Sequence, residues 1–353
     1  MSTLLKKIQL KDLRTFCNSD LYNGFETKPI SEERIKSYIN NPNAKINDYV
    51  LYMILNGNQL IAYRTLLPDN YNKSEHFAWL SGNWVSPSFR RKGLSKRLFN
   101  DIYNDWNGKL MYSNYAPESH LLYQSTNKFN LLSSRDGYRY YLYSKPSQLL
   151  AERLPKWAIP FFKLIDFLVN IYATLKCKLV SHKTSKYTFS ELSIPEKDFL
   201  EIFEKRQMNG FLRDAKSLKW ILDYPWLTEE KTDTVYFFSH NVKKFFYRFI
   251  SIKSGNDNIG FAILQFRDNK LKIPYCEFDK ECSSEFGKFL INWIKSNKIS
   301  EFTTWNNDVI NAIDNVRKPF IFKKINSQKI FASWKIDNND HLSSDGDGDY
   351  IFT

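Results

Sequence analysis

Apolar residues recur along this chain in two rhythms, and the rhythm changes at short polar breaks. A strand near residues 7–10 gives way to a helical spacing from Leu13. Ser31 stands before Glu32 and Glu33 at the head of a second helix, 31–40. Its hydroxyl can cap free amides there, and the two acids suit the positive end of the helix dipole. Asn41-Pro42-Asn43 stops that helix. Alternating runs at 49–55 and 59–67 flank Asn56-Gly57, which predicts a hairpin with a tight turn. An apolar run ends at Val85, a basic loop follows, and 94–106 has the spacing of an amphipathic helix. A short strand at 110–113, a helix at 117–127, a short strand at 129–133 and a last strand at 137–143 complete the series.

From residue 186 the pattern starts again. It predicts a strand at 187–192, a helix at 195–207 opened by Pro195, and a helix at 217–224 stopped by Pro225. Strands near 234–238, 245–252, 259–266 and 271–278 follow. A helix at 284–296, a strand at 301–304, a helix at 308–316 and strands at 320–324 and 329–335 end it. Apart from the strand near Val235, this order repeats that of the first half, without a residue-level repeat. The fold class is α/β (α+β), in two domains, which suits 353 residues. The expected division is a first domain at 1–145, an apolar helical linker at 146–185, a second domain at 186–336 and an acidic flexible tail at 337–353.

The linker is the most apolar stretch. Phe161, Leu164, Phe167, Leu168, Ile171 and Leu175 dominate it, while Lys163, Asp166, Asn170 and Thr174 form one narrow polar stripe. Ionisable residues interrupt the run well short of the ~20 apolar residues a spanning helix needs. The expectation is a helix over 160–175 buried between the two halves. Peripheral contact with an anionic membrane, through Arg153, Lys156, Lys176 and Lys178, is the alternative.

Charge and cysteine usage narrow the picture. A net charge of +13 favours anionic ligands. Few basic runs exceed two or three residues, so most of the charge is a solvated surface and no nucleic-acid partner is expected. Cys17, Cys177, Cys276 and Cys282 are dispersed, as are the five histidines. A zinc site or disulfide framework is therefore not expected, and a reducing, cytoplasmic setting fits. Asp345-Gly346-Asp347-Gly348-Asp349 begins like a calcium loop, but its twelfth position would lie beyond Thr353, so no metal is expected there.

Chemistry concentrates at Arg90-Arg91-Lys92-Gly93-Leu94-Ser95, between an apolar strand and a helix. A glycine lets the backbone approach a ligand closely, and the first amides of a helix point outward without intrahelical partners. Helix dipole and basic side chains add positive charge, which suits a diphosphate. Downstream, Tyr123 follows Leu121-Leu122 on the helix after the short strand, and Lys128-Phe129 comes soon after.

The spacing Arg90-x-x-Gly93-x-Ser95 resembles the Arg/Gln-x-x-Gly-x-Gly/Ala signature of the GNAT superfamily of N-acetyltransferases, with Ser95 at the last small position. The Leu122-Tyr123 pair resembles that family's leucine-tyrosine pair. Lys128-Phe129 stands one residue late for its glycine-phenylalanine, and Ser119 stands where alanine is usual. The resemblance covers about the first 145 residues. It implies tandem GNAT-like domains, each a mixed, mostly antiparallel twisted sheet flanked by helices. It also implies acetyl-CoA as co-substrate, bound by Arg90, Arg91, Lys92, Gly93, Leu94 and Ser95, with the amides of Trp84 and Val85 on the pantetheine and thioester. Tyr123 would be the acid that protonates the thiolate.

The second half has no such loop. Asp279-Lys280-Glu281-Cys282-Ser283-Ser284-Glu285 carries three acids and no Arg-x-x-Gly, so this half is expected to be a degenerate GNAT-like repeat. Arg213, with Trp220 and Trp226, is a candidate binder of an acidic or sugar-containing acceptor. Glu75, His76, Glu118 and His120 are weak candidates for a general base. The activity implied is transfer of an acyl group to a small amine or amino sugar, in surface polysaccharide biosynthesis. Two alternatives stay open: a Fem-like transferase using aminoacyl-tRNA, and a non-catalytic CoA-binding module.

Overall fold

The computed structural model describes residues 3–352 apart from 73–74, 115, 150–154, 184–185, 207–210, 212, 232–234, 239 and 337–343. Arg153, Gln207 and Thr234, each at the margin of an expected feature, lie outside the described residues. The elements of the first half are β1 (Thr3–Gln9), α1 (Leu10–Cys17), α2 (Asp20–Asn23), α3 (Glu32–Ile39), β2 (Tyr49–Asn56), β3 (Gln59–Tyr71), β4 (Glu75–Val85), α4 (Leu94–Asp105), β5 (Leu110–Ser113), α5 (Pro117–Gln124) and β6 (Asn130–Tyr141). Then come α6 (Pro146–Leu149), α7 (Ile159–Leu179), β7 (Thr188–Leu192), α8 (Lys197–Arg206), α9 (Ala215–Asp223), β8 (Phe245–Ser254), β9 (Asp257–Arg267) and β10 (Lys270–Phe278). The last are α10 (Ser283–Ser296), β11 (Glu301–Thr304), α11 (Asn307–Asp314) and β12 (Phe322–Ala332).

Local chemistry accounts for the boundaries. Ser31 caps α3, its hydroxyl accepting from the Arg34 amide at 3.4 Å. Gly57 supplies the positive φ, 57°, that the β2–β3 turn requires. Gly137 looked like a break between two short strands, but β6 runs through it. A Cβ there would collide with the Thr304 carbonyl and the Trp305 ring, so the glycine serves close approach rather than a turn. The two strands expected at 320–324 and 329–335 are likewise one, β12. Among the described residues no strand forms near Val235, and Tyr236 joins Lys28 in an isolated bridge.

Two compact units result, and neither is a continuous stretch of chain. The first comprises residues 1–134, 203–245 and 328–353; the second comprises 135–202 and 246–327. By this division residues 146–185, expected as a linker, fall within the second unit.

In the first unit the strands run β1-β2-β3-β4-β5. They are antiparallel as far as β4, and β5 is parallel to β4. The sixth strand comes from the far end of the chain: Ile330, Phe331 and Ala332 of β12 lie opposite Ser113, Tyr112 and Met111 of β5. The core against α4 and α5 gathers Ile54, Leu66, Ala78, Leu98, Phe99 and Ile102. In the second unit the order is β7-β8-β9-β10-β11, and β11 pairs with Tyr138–Tyr141 of β6. Each unit thus completes its sheet with a strand from the other half of the sequence. Periodicity cannot reveal this, because it reports which face of a strand is buried and not which neighbour it pairs.

Two further expectations are overturned. The apolar face of α7 is exposed, with Phe161, Phe167 and Leu168 among the most accessible apolar residues, while Asp166 and Ala173 are its buried positions. Asp166 and Asn170 of the polar stripe face inward, where they have partners, while Lys163 and Thr174 are exposed. Ser144 Oγ donates to Asp166 Oδ1 at 2.6 Å and the Ser147 amide donates to Asp166 Oδ2 at 3.0 Å. Asn170 accepts from the Ser144 amide at 2.7 Å. Burial opposes ionisation of Asp166, but the bonds from Ser144 and Ser147 outweigh it and hold the carboxyl below its usual range. The acidic tail, in its described part 344–352, is packed: Asp345, Asp347, Ile351 and Phe352 are buried, and Phe352 stacks on Trp226 with ring centres 4.7 Å apart.

Candidate active site

The basic loop lies between a short turn at Pro87–Phe89 and the start of α4. Gly93 is the N-cap of α4, with φ 76° and no side chain to occupy the helix amides. A Cβ at Gly93 would meet nothing within 4 Å, so the space above the amides is open. Arg91 also has positive φ, 61°, which turns the backbone outward at a non-glycine residue. Arg90, Arg91, Lys92 and Gly93 are exposed, and Leu94 and Ser95 are half-buried. Arg90 Nε donates to the Val85 carbonyl at 3.3 Å, tying the loop to the end of β4.

Strands β4 and β5 part company close to this loop. They pair only at Ala78–Leu110 and Trp79–Met111, so β4 from Leu80 onward has no β5 partner among the described residues. A bulge lies in the same stretch: Leu66 opposes Leu80 but Arg64 opposes Asn83, leaving Thr65 facing both Ser81 and Gly82. The extra residue reverses the alternation of amides along β4. The Ser86 amide donates to Ile61 of β3 at 2.9 Å, so by alternation the Trp84 amide faces β3 and the Val85 amide faces the notch. Val85, rather than Trp84, therefore has its amide on the open edge. The Trp84 side chain stacks on Tyr63 instead, with ring centres 5.5 Å apart.

One face of the notch holds an unpaired cation. Arg64 is fully buried, and its Nε, Nη1 and Nη2 have no hydrogen-bond partner among the described residues. Its guanidinium carbon lies 5.2 Å from the centre of the Tyr123 ring. Asn83, opposite Arg64 in the sheet, donates from Nδ2 to Ser119 Oγ at 3.4 Å, and its buried Oδ1 has no partner among the described residues. Burial pushes the Arg64 guanidinium down to about 9, which leaves it charged at neutral pH. Tyr123 is held by Phe99, Tyr112 and Phe129, at 5.8, 4.4 and 5.6 Å between ring centres. Phe129 fills its place in the core although it comes one residue late. Arg64 was not singled out from the sequence, because an arginine in an apolar strand carries no motif.

The other face carries a polar network centred on Arg34, whose Nη1 and Nη2 are bonded while its Nε has no partner among the described residues. Arg34 donates to Tyr236 Oη at 2.9 Å, Tyr38 Oη at 2.8 Å, Thr65 Oγ1 at 3.0 Å and Ser81 Oγ at 2.7 Å. Its guanidinium lies 3.9 Å from the Trp226 ring centre. Ser81 Oγ in turn donates to Asp349 Oδ2 at 2.6 Å, which brings the acidic tail to the bulge. Nearby, a cavity of about 400 Å³ is lined by Phe25, Glu26, Thr27, Gln59, Trp84 and Pro87.

Several sequence candidates go elsewhere. Arg213 is locked to Asp69 by two bonds of 3.0 Å, and Trp220 Nε1 donates to the Ser37 carbonyl at 2.7 Å. Both are structural rather than acceptor-binding. Glu75 pairs with Lys109, and His76 lies between Asp48 and Asn70, both at the end of β4 remote from Val85. His120 Nδ1 is 3.1 Å from Tyr112 Oη, whose own pKa burial pushes up to about 12.

Residues 11–106 match the model of the acetyltransferase (GNAT) family. No curated protein matches the chain by sequence. Among solved structures, a tandem GNAT protein from the clavulanic acid biosynthesis pathway is similar, with a TM-score of 0.51 and 10% identity, over 95% of this chain and all of that one. A GCN5-related N-acetyltransferase from Anabaena variabilis is similar at a TM-score of 0.50 and 11% identity, over 94% of this chain and 72% of that one. At these identities the likeness is one of fold, and it bears out the tandem arrangement expected from the order of elements.

Proposed function

Starting from a chain whose first half holds a GNAT acetyltransferase domain within a tandem GNAT fold, we propose that it transfers an acyl group, acetyl in the first instance, from CoA to the amine of a small acceptor. An amino sugar of a surface polysaccharide is the acceptor class proposed. The observation that carries this reading is the open, cationic head of α4 beside a notch that holds the buried, unpaired Arg64 against Tyr123. The basic loop and free amides at Arg90–Ser95 suit the CoA diphosphate. The Val85 amide, on the open edge of β4, is the donor for the thioester carbonyl.

The amine attacks the thioester carbon, a C–N bond forms and the C–S bond breaks. The sulfur leaves as a thiolate and takes a proton from the Tyr123 hydroxyl. Arg64 balances the negative charge while it develops, in a site too dry for water to do so. The amine loses one proton, which Asp349 can accept on the bulge side of β4, where Ser81 holds it. The cavity beside Trp84 gives a small acceptor room on the strand that carries the bulge.

Calorimetry with CoA and a thiol-release assay with acetyl-CoA and an amine panel test the reading. One CoA site per chain and amine-dependent thiol release are expected. Binding without release would favour the CoA-binding module, and absence of CoA binding would reopen the aminoacyl-tRNA alternative.

A further inference from the structure

The α7 helix turns a broad apolar face outward to solvent. Phe161, Leu164, Phe167, Leu168, Ile171 and Leu175 are each 45–62% exposed. At 100° per residue they occupy an arc of roughly 140° or less on one side of the helix. The opposite side, where Phe162, Val169, Ala173 and Cys177 are buried or half-buried, is pinned. Asp166 and Asn170 hold the 144–147 segment, and Lys176 Nζ donates to the Phe320 carbonyl at 2.7 Å. The outward apolar face is therefore fixed by hydrogen bonds and cannot roll inward. So large an exposed patch is uncommon on a soluble surface without a partner.

We infer that α7 is a docking face for an anionic lipid surface, lying flat in the headgroup boundary. Three features select lipid over a second protein chain. Lys163 flanks the apolar arc, while Lys156 and Lys178 lie exposed near the two ends of the helix. Such amphipathic cations keep their stems on apolar surface and their heads in the phosphate layer. Trp157, 80% exposed just before the helix, is the residue type that favours the membrane–water interface. The overall charge of +13 adds attraction to anionic headgroups. No helix among the described residues is long and apolar enough to cross a membrane, so the contact is with one leaflet. This inference is independent of the acyl-transfer reading.

The test is sedimentation of the full chain with vesicles of phosphatidylcholine alone or mixed with phosphatidylglycerol, at low and high salt. Wild type is expected to pellet with the mixed vesicles, more weakly at high salt, and poorly with phosphatidylcholine alone. Phe167→Glu and Ile171→Glu together should weaken that binding by more than about tenfold. Because both side chains point into solvent, the melting temperature should be unchanged. Two results would overturn the inference. One is wild type that stays in the supernatant at every salt concentration. The other is a wild-type dimer, broken by the double variant, that does not bind vesicles. A double variant that melts early would instead restore the buried helix.

Discussion

The Arg64 guanidinium lies over the Tyr123 ring, 5.2 Å from its centre, and none of its three nitrogens is hydrogen-bonded among the described residues. A fully buried cation with no hydrogen-bond partner among the described residues destabilises the fold, and the reaction proposed above supplies the charge it lacks. Arg64→Met should therefore stabilise the protein by about 1–4 kcal/mol while lowering turnover on the order of 10²-fold. The pH dependence follows from the pKa. Burial lowers it to about 9, so above about pH 9 the unfolded chain binds more protons than the folded one, and wild-type stability rises with pH. Below that pH the penalty is constant. The melting-temperature gap between variant and wild type should be full at neutral pH and narrow as the pH rises past about 9. Melts across that range, with thiol release at neutral pH, check both halves.

Gly93→Asp should abolish CoA binding with little change in stability beyond the strain of its φ of 76°. The added carboxylate would sit over the α4 amides and repel a diphosphate. Calorimetry reads this directly, and Gly93→Asn, which tolerates positive φ and adds no charge, should retain weakened binding.

Tyr123→Phe removes a hydroxyl and keeps the ring that Phe99, Tyr112 and Phe129 pack. CoA affinity and melting temperature should be preserved, and turnover should drop on the order of 10²-fold. Unchanged turnover with chemistry rate-limiting would remove Tyr123 from the acid role.

Arg213→Ala should cost about 3–5 kcal/mol, since it leaves the Asp69 carboxylate buried without its cation. Both side chains are almost inaccessible, at 1% and 2%. Denaturant melts measure the loss. A mild effect on stability with a large rise in KM for the acceptor would return Arg213 to substrate binding.

Asp349→Asn keeps an acceptor for Ser81 Oγ but cannot take a proton at neutral pH. Turnover should fall on the order of 10²-fold with the melting temperature unchanged. Phe352→Ala is the structural counterpart: it empties the stack on Trp226 and should cost about 3–5 kcal/mol.

Much of the architecture is legible in the order of residues. The Asn56-Gly57 turn, the Ser31 cap and the Arg90–Ser95 loop are local features, and each depends on backbone conformations or free amides that a few neighbouring residues determine. The tandem order of elements is legible for the same reason, and Tyr123 follows from its place on the helix after β5. Long-range partnership is not. Nothing in the spacing of β6 or β12 says that each completes the sheet of the other half, because alternation specifies a face and not a neighbour. The orientation of α7 also escapes periodicity: a narrow polar stripe looks the same whether it meets water or the hydrogen bonds of Ser144 and Ser147. Asp349 reaches Ser81 across 268 positions of sequence, and Arg64 becomes informative only when its surroundings prove empty of partners. Those relationships exist only once tertiary packing has excluded water, since it is the loss of solvent that turns an unremarkable arginine or aspartate into a group whose partner matters.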